Sequence, residues 1–172
     1  MMKLGQIDLA IGMFRDLHGN FRQQLLFHEA YVALVRKDQP AAGGRLSIEE
    51  FFASDHVIYQ PMAGSHAHFE AELNALCLKS GKVRRIALQL AHSSALDQIV
   101  SSGDFIASVP TSLAEALIGR NGVRAVGLPF DIATTAIAQF WHERYQGDEG
   151  HQWLRALIHE LFHDRPGSRG AV

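Results

Sequence analysis

From Ser47 to Leu128 the chain alternates two kinds of element, helices with readable start and stop residues and short apolar runs, without an internal sequence repeat. Ser47 and Glu50 form a capping box ahead of IEEFFA, because each side chain can satisfy a backbone N–H that the first helical turn leaves free. DHVIY, Asp55–Tyr59, reads as a strand. Ser65 can cap a long helix with Phe69, Leu73, Leu76 and Cys77 at helical spacing and Gly81 as its stop. Arg85–Leu90 is a strand, Ser94 and Asp97 cap a helix ended by Gly103, and Phe105–Val109 is a strand. Ser112 and Glu115 cap a helix closed by Gly119, and Val123–Leu128 is a strand. Alternation of this kind predicts an α/β fold with a parallel sheet. The flanks are less regular. They read as a strand at Ile7–Ile11, a turn at Gly19-Asn20 and a strand at Glu29–Arg36. After the alternating segment come a strand at Thr135–Trp141, a turn at Gly147-Asp148 and a helix at Glu149–His163, with a frayed tail, DRPGSRGAV.

Composition narrows the function classes. Hydrophobic residues make up 47% and charged residues 20%, a globular balance. The formal net charge of −2 carries no nucleic-acid footprint across the chain. The compact basic cluster Lys82, Arg84 and Arg85 reads as a solvated rim at the entry to a strand. The single cysteine, Cys77, cannot form an internal disulfide and reads as a buried structural thiol. No apolar stretch approaches the ~18 residues of a membrane span, and the N-terminus lacks a secretory h-region. The cytoplasm is the expected compartment.

One short motif competes with this picture. His159–His163 reads HELFH, an H-E-x-x-H pattern in which two histidines one turn apart can share zinc and the glutamate can activate its water. On a helical wheel Trp153, Leu154, Leu157, Ile158, Leu161 and Phe162 form one apolar face, which should turn both histidines toward solvent. A catalytic zinc needs a third protein ligand and a walled cleft. Few residues follow His163, so the segment is expected to be a surface helix and the chain not an enzyme. A zinc hydrolase acting through HELFH is the minor alternative. No cofactor is expected, and no metal site.

In open parallel sheets ligands bind beyond the carboxyl ends of strands, beside the following helices. DHVIY leads to Ser65 and His66, RIALQL leads to His92, Ser93 and Ser94, and FIASVP leads to Thr111 and Ser112. These hydroxyls and imidazoles suit a small anion such as a carboxylate. Helix capping alone would also place Ser and Thr there, so convergence on one sheet edge is what makes the site reading. The sequence offers no nucleophile paired with a base and no Gly-rich phosphate loop, which favours binding over catalysis.

GQIDLAIG, YVALVRKDQP, DFIASVPTSLAE and FWHERYQGDEGHQWLRALIHELF, in that order and spacing, resemble the effector-binding domain of LysR-type bacterial transcriptional regulators. The similarity runs from about Leu4 to Phe162 and is nearest to the branch sensing aromatic acids, nitroaromatics and flavonoid-like inducers. The resemblance implies a type-II periplasmic-binding-protein-like α/β fold, with a small organic, aromatic acid held between two lobes. One lobe, residues 27–124, looks complete. The other is partial, formed by residues 1–26 and 125–172, and the apolar face of the last helix is shaped to close it. Positions His28 and Glu29, the loop Ser65–His68 with Ser65 and His66 foremost, and His92, Ser93, Thr111 and Ser112 match the family's effector contacts, with Phe130 and Ile132 as weaker candidates. The family's helix-turn-helix and the opening of its first lobe have no counterpart here, so a truncated chain is expected, with DNA contacted only through that missing head. The resemblance also implies a homodimer or higher oligomer in the intact protein. A stand-alone solute-binding protein of the same fold is the runner-up.

Overall fold

The computed structural model describes residues 2–13, 19–41, 44–61 and 66–163. Two compact units emerge, one of residues 1–29 with 134–172 and one of residues 30–133. The sequence placed these divisions after residues 26 and 124. The first falls later because the strand ending at Glu29 stays paired to Thr135, and the chain changes sheet only at Ala30.

The larger unit is built on β3 (Tyr31–Arg36), β4 (Asp55–Tyr59), β5 (Arg85–Leu90), β6 (Phe105–Pro110) and β7 (Val123–Val126). Their order is β5-β4-β6-β3-β7. β4 runs parallel to β5 and β6, whereas β3 runs antiparallel to β6 and β7. The sheet is therefore mixed, not parallel throughout: β3 inserts between β6 and β7 with reversed direction. The helices are α1 (Ile48–Ala53), α2 (His66–Lys79), α3 (Leu96–Ser101) and α4 (Thr111–Leu117).

Strand alternation divides the core into two layers. Ala33, Val35 and Ile106 pack with Phe51, Phe69, Leu73 and Cys77 from α1 and α2. Leu34, Ala107, Val57 and Val109 pack with Leu96, Val100, Ala114 and Leu117 from α3 and α4. Successive residues of a strand face opposite sides, so both faces of the sheet are covered and its central strands are apolar throughout. Cys77 is buried as expected, and burial pushes its thiol pKa up, away from reactivity.

Only some of the expected caps form. At α1 the Ser47 hydroxyl accepts from Glu50 N at 3.1 Å and Glu50 accepts from Ser47 N at 2.7 Å. Ser47→Ala is expected to cost about 1 kcal/mol in a urea melt. The Ser94–Asp97 pair does not cap α3, which starts after Ala95 with no side-chain cap. Asp97 instead accepts from Asn121 Nδ2 at 3.0 Å, fixing a residue at φ 46° in the turn before β7. The Ser112–Glu115 box also fails. α4 begins two residues earlier than such a cap would place it, at Thr111, whose N–H donates to Ala30 O at 2.9 Å. A backbone carbonyl from the neighbouring chain segment takes the place of a side-chain cap.

The smaller unit is an antiparallel sheet, β1 (Leu9–Gly12), β8 (Thr135–His142) and β2 (Phe21–Glu29), in the order β1-β8-β2, with α5 (Glu149–Phe162). β2 was not predicted over most of its length. A register irregularity between Leu25 and Phe27 breaks its period-two pattern. α5 also departs from its helical wheel. Its buried residues are His151 and Arg155, while Trp153 is 66% and Leu161 62% exposed. At ~100° per residue the buried face is rotated roughly 100° from the centre of the apolar stripe. Hydrogen bonds fix that rotation. Gln139, fully buried on β8, donates to Arg155 O at 3.0 Å. Arg155 donates to His151 Nδ1 at 2.7 Å and lies over the Trp141 ring at 4.4 Å. His151 Nε2 then donates to Asp8 O at 3.1 Å, which assigns the tautomer.

Candidate ligand site

The carboxyl ends of β4 and β5 open onto a depression lined by Tyr59, Pro61, Ala91, His92, Ser93 and Ser94. Tyr59 ends β4 in register with Leu90, the last residue of β5. His92 is exposed and Ser93 half-buried, its carbonyl taking the N–H of Leu96 at 3.1 Å. This depression lies at the sheet edge that strand–helix reasoning points to, with the Tyr59 ring among its lining.

Tyr59 connects this depression to a buried histidine. His66 opens α2, is 3% exposed, and has its ring centre 5.3 Å from Tyr59, 5.9 Å from Tyr31 and 5.3 Å from Phe69. Tyr31 stacks on Phe69 at 3.7 Å with their planes 5° apart. Tyr31 also pairs in register with Pro110, the residue before Thr111. Neither ring nitrogen of His66 has a hydrogen-bond partner among the described residues, nor does the buried Oγ1 of Thr111. Such groups cost free energy unless something answers them.

Charge behind the histidine shapes it. Glu70, one turn along α2, has Oε1 3.7 Å from His66 Nε2. Its other oxygen accepts from buried Arg84 at 2.5 Å, and Arg84 also donates to Asn74 Oδ1 at 2.6 Å. Burial, with the Arg84 charge adding to it, lowers the His66 pKa to about 4. The imidazole is neutral near pH ~7, so its contact with Glu70 is not an ion pair there. Arg84 was expected on a solvated rim. It is 6% exposed, because Glu70 supplies the opposite charge inside the layer of α2. Arg85, its neighbour, does lie outside and pairs with Asp55, and Lys82 sits 5.4 Å from the Phe52 ring centre.

The remaining expected positions fall as follows. Ser65 lies outside the described residues, as does the 164–172 tail. Ser112 is half-buried in the first turn of α4, and His68 half-buried within α2. Phe130 and Ile132 are partly buried against the α1–α2 core layer. His28 and Glu29 belong to the smaller unit: His28 is exposed opposite Ala136, and Glu29 is buried opposite Thr135. Sequence reasoning missed Tyr31, Tyr59, Glu70 and Arg84. Tyr59 was visible as the last residue of an expected strand and Tyr31 as an interior residue of another; nothing in the sequence pairs Glu70 with Arg84.

His159 and His163 do not both face open solvent. His159 is half-buried, and the two line a groove with Leu25, Leu26, Phe27 and His28. The rotation of α5 brings them there. Among the described residues no group of three or more His, Cys, Asp or Glu side chains is arranged to hold a metal. No helix among these residues is long and apolar enough to cross a membrane.

A family model described as the LysR substrate binding domain matches residues 1–163. The chain is 35% identical over 161 residues to the HTH-type transcriptional activator NagR of a Ralstonia species, covering 94% of this chain and 52% of that protein. It is 34% identical over 160 residues to the HTH-type transcriptional activator NahR of Pseudomonas putida, covering 93% and 52%. The chain thus spans about half the length of these curated relatives. Among solved structures, the regulatory domain of MexT, a transcriptional activator in Pseudomonas aeruginosa, superposes with a TM-score of 0.77 at 25% identity, covering 94% of this chain and 77% of that one. The periplasmic-binding-protein-like α/β architecture and the order of the sequence blocks now have one explanation: the chain belongs to the LysR substrate-binding domain family.

Proposed function

We propose that this chain is the effector-sensing part of a LysR-type transcriptional regulator and that its effector is an aromatic carboxylic acid. The observation that carries the ligand class is the pairing of unanswered polar groups with aromatic walls. Among the described residues the buried hydrogen-bonding atoms of His66 and Thr111 have no partner, and Tyr31 and Tyr59 supply flat apolar surface beside His66. A carboxylate can accept from an imidazole N–H and a hydroxyl, while its ring packs against the tyrosines. His92 and Ser93 line the depression through which the acid approaches. Affinity for one conformation over another would convert binding into a shift of population. The reading gives the intact regulator a homodimeric or higher assembly, DNA contacts through a helix-turn-helix of the kind its named relatives carry, and a cytoplasmic site of action.

Calorimetry with benzoate and salicylate tests the ligand class. Binding is expected with the parent chain, and Thr111→Val should weaken it about tenfold, the loss of one hydrogen bond to a charged group. The same substitution removes an unanswered buried hydroxyl, so the ligand-free protein should melt no lower than the parent. Absence of binding heat with either acid sinks the aromatic-acid reading, and unchanged affinity in Thr111→Val removes Thr111 from the site.

A further inference from the structure

We propose that His159 and His163 form a two-nitrogen chelate on the surface of α5 for a borderline divalent cation, Ni2+ or Cu2+. The two residues are one helical turn apart, and their ring centres lie 4.4 Å from each other with planes tilted by 37°. Imidazoles bound to one ion through nitrogens at ~2.1 Å have ring centres about 4.6 Å apart at a right angle, and about 5.3 Å apart at the tetrahedral angle. The observed separation matches the right-angled arrangement to within a few tenths of an ångström and falls well short of the tetrahedral one. Right-angled nitrogen pairs are the preference of Ni2+ and Cu2+, whereas structural Zn2+ takes four tetrahedral ligands.

The surroundings allow an ion to arrive and keep open positions. The pair lies in a groove lined by exposed His28 and by Leu25, Leu26 and Phe27 on β2. Phe27 stacks on Phe162 with ring centres 6.2 Å apart, which packs the end of α5 against the strand. Among the described residues no third protein ligand is arranged beside the pair, and the proposal assigns the two imidazole nitrogens alone. The H-E-x-x-H pattern therefore has a physical content different from the peptidase one: it supplies the two histidines but not a catalytic zinc.

The untagged 172-residue chain titrated with Ni2+ in a calorimeter should bind one ion. His159→Gln and His163→Gln should each weaken binding on the order of tenfold or more, since even groups one shell beyond the metal cost that much. His163 is exposed at the end of α5, and the helical circular dichroism of His163→Gln, compared with that of the parent, separates loss of a ligand from loss of fold. Electron paramagnetic resonance of the Cu2+ complex should show coupling to two imidazole nitrogens in the parent and one in His163→Gln. Equal Ni2+ affinity in the parent and His163→Gln, or a Cu2+ spectrum unchanged by that substitution, overturns the proposal.

Discussion

Acidification from pH ~7 to ~4 is expected to remove several kcal/mol of stability from the five-stranded unit. Two of its histidines are buried neutral. His56 is 1% exposed, and its Nε2 donates to Phe51 O at 2.8 Å, while His66 is 3% exposed beside Tyr31 and Tyr59. Burial lowers both pKa values from 6.5 to about 4, with Arg84 opposing the charged form in each case. In the unfolded chain both rings take a proton below ~6.5, whereas the folded rings do not. The unfolded state then binds more protons, so stability rises with pH. The contribution is complete above about 6.5, is lost as the pH falls, and levels off near 4. A fall from 6.5 to about 4 corresponds to at most about 3.5 kcal/mol per histidine. Against a typical domain stability of ~5–15 kcal/mol, two such losses can bring the unit close to its midpoint. Urea melts followed by amide hydrogen exchange in β4 and β6 would measure it. Tryptophan emission would not, because both tryptophans, Trp141 and Trp153, belong to the smaller unit. A His56→Gln, His66→Gln double variant with the same pH dependence as the parent would refute the assignment.

The parts legible in the sequence share a local cause. β4 and β5 occupy the expected residues, and α1 has its expected capping box, because apolar runs and a Ser-x-x-Glu signature act within a few residues. The edge that carries the candidate site was legible for the same reason: where strands give way to helices can be read from the order of elements. The direction of β3 and the rotation of α5 were not. β3 is positioned by pairing with β6 and β7, whose sequence is far downstream. α5 is oriented by Gln139, Asp8 and Tyr145, and those polar partners outweighed a strong apolar stripe. At the site, Ser, Thr and His residues drew attention as capping or binding types, while the charges behind them came from residues that look like ordinary surface. Glu70 and Arg84 are 14 positions apart, and only the packing of α2 on the strand layer shows that they meet out of water.

That buried pair gives the second large effect: Arg84→Met should destabilise the five-stranded unit by about 3–5 kcal/mol, the usual consequence of leaving one charge of a buried pair behind. The Arg84 side chain is 2% exposed and that of Glu70 9%, so water cannot easily take over from the guanidinium. Methionine keeps most of the apolar stem of arginine, which confines the loss to the charge and to the hydrogen bonds with Glu70 and Asn74. Glu70→Met added to Arg84→Met should restore most of the stability, because an apolar pair of similar volume carries no desolvation cost. The recovery separates a charge left unpaired from a cavity, which a second substitution would deepen. Arg84 also bears on the candidate site. Its positive charge holds the His66 imidazolium disfavoured. Without it, the ring keeps the Glu70 carboxylate 3.7 Å from Nε2 but stays buried, so its pKa should rise from about 4 while burial, the larger cause, still holds it below ~6.5. Histidine proton resonances followed against pH in Arg84→Met read that rise directly. An unshifted His66 titration would mean that burial alone sets it and that the Glu70–Arg84 pair is structural only. A shift would make the pair a positioning device, one that keeps His66 neutral until a ligand reaches it.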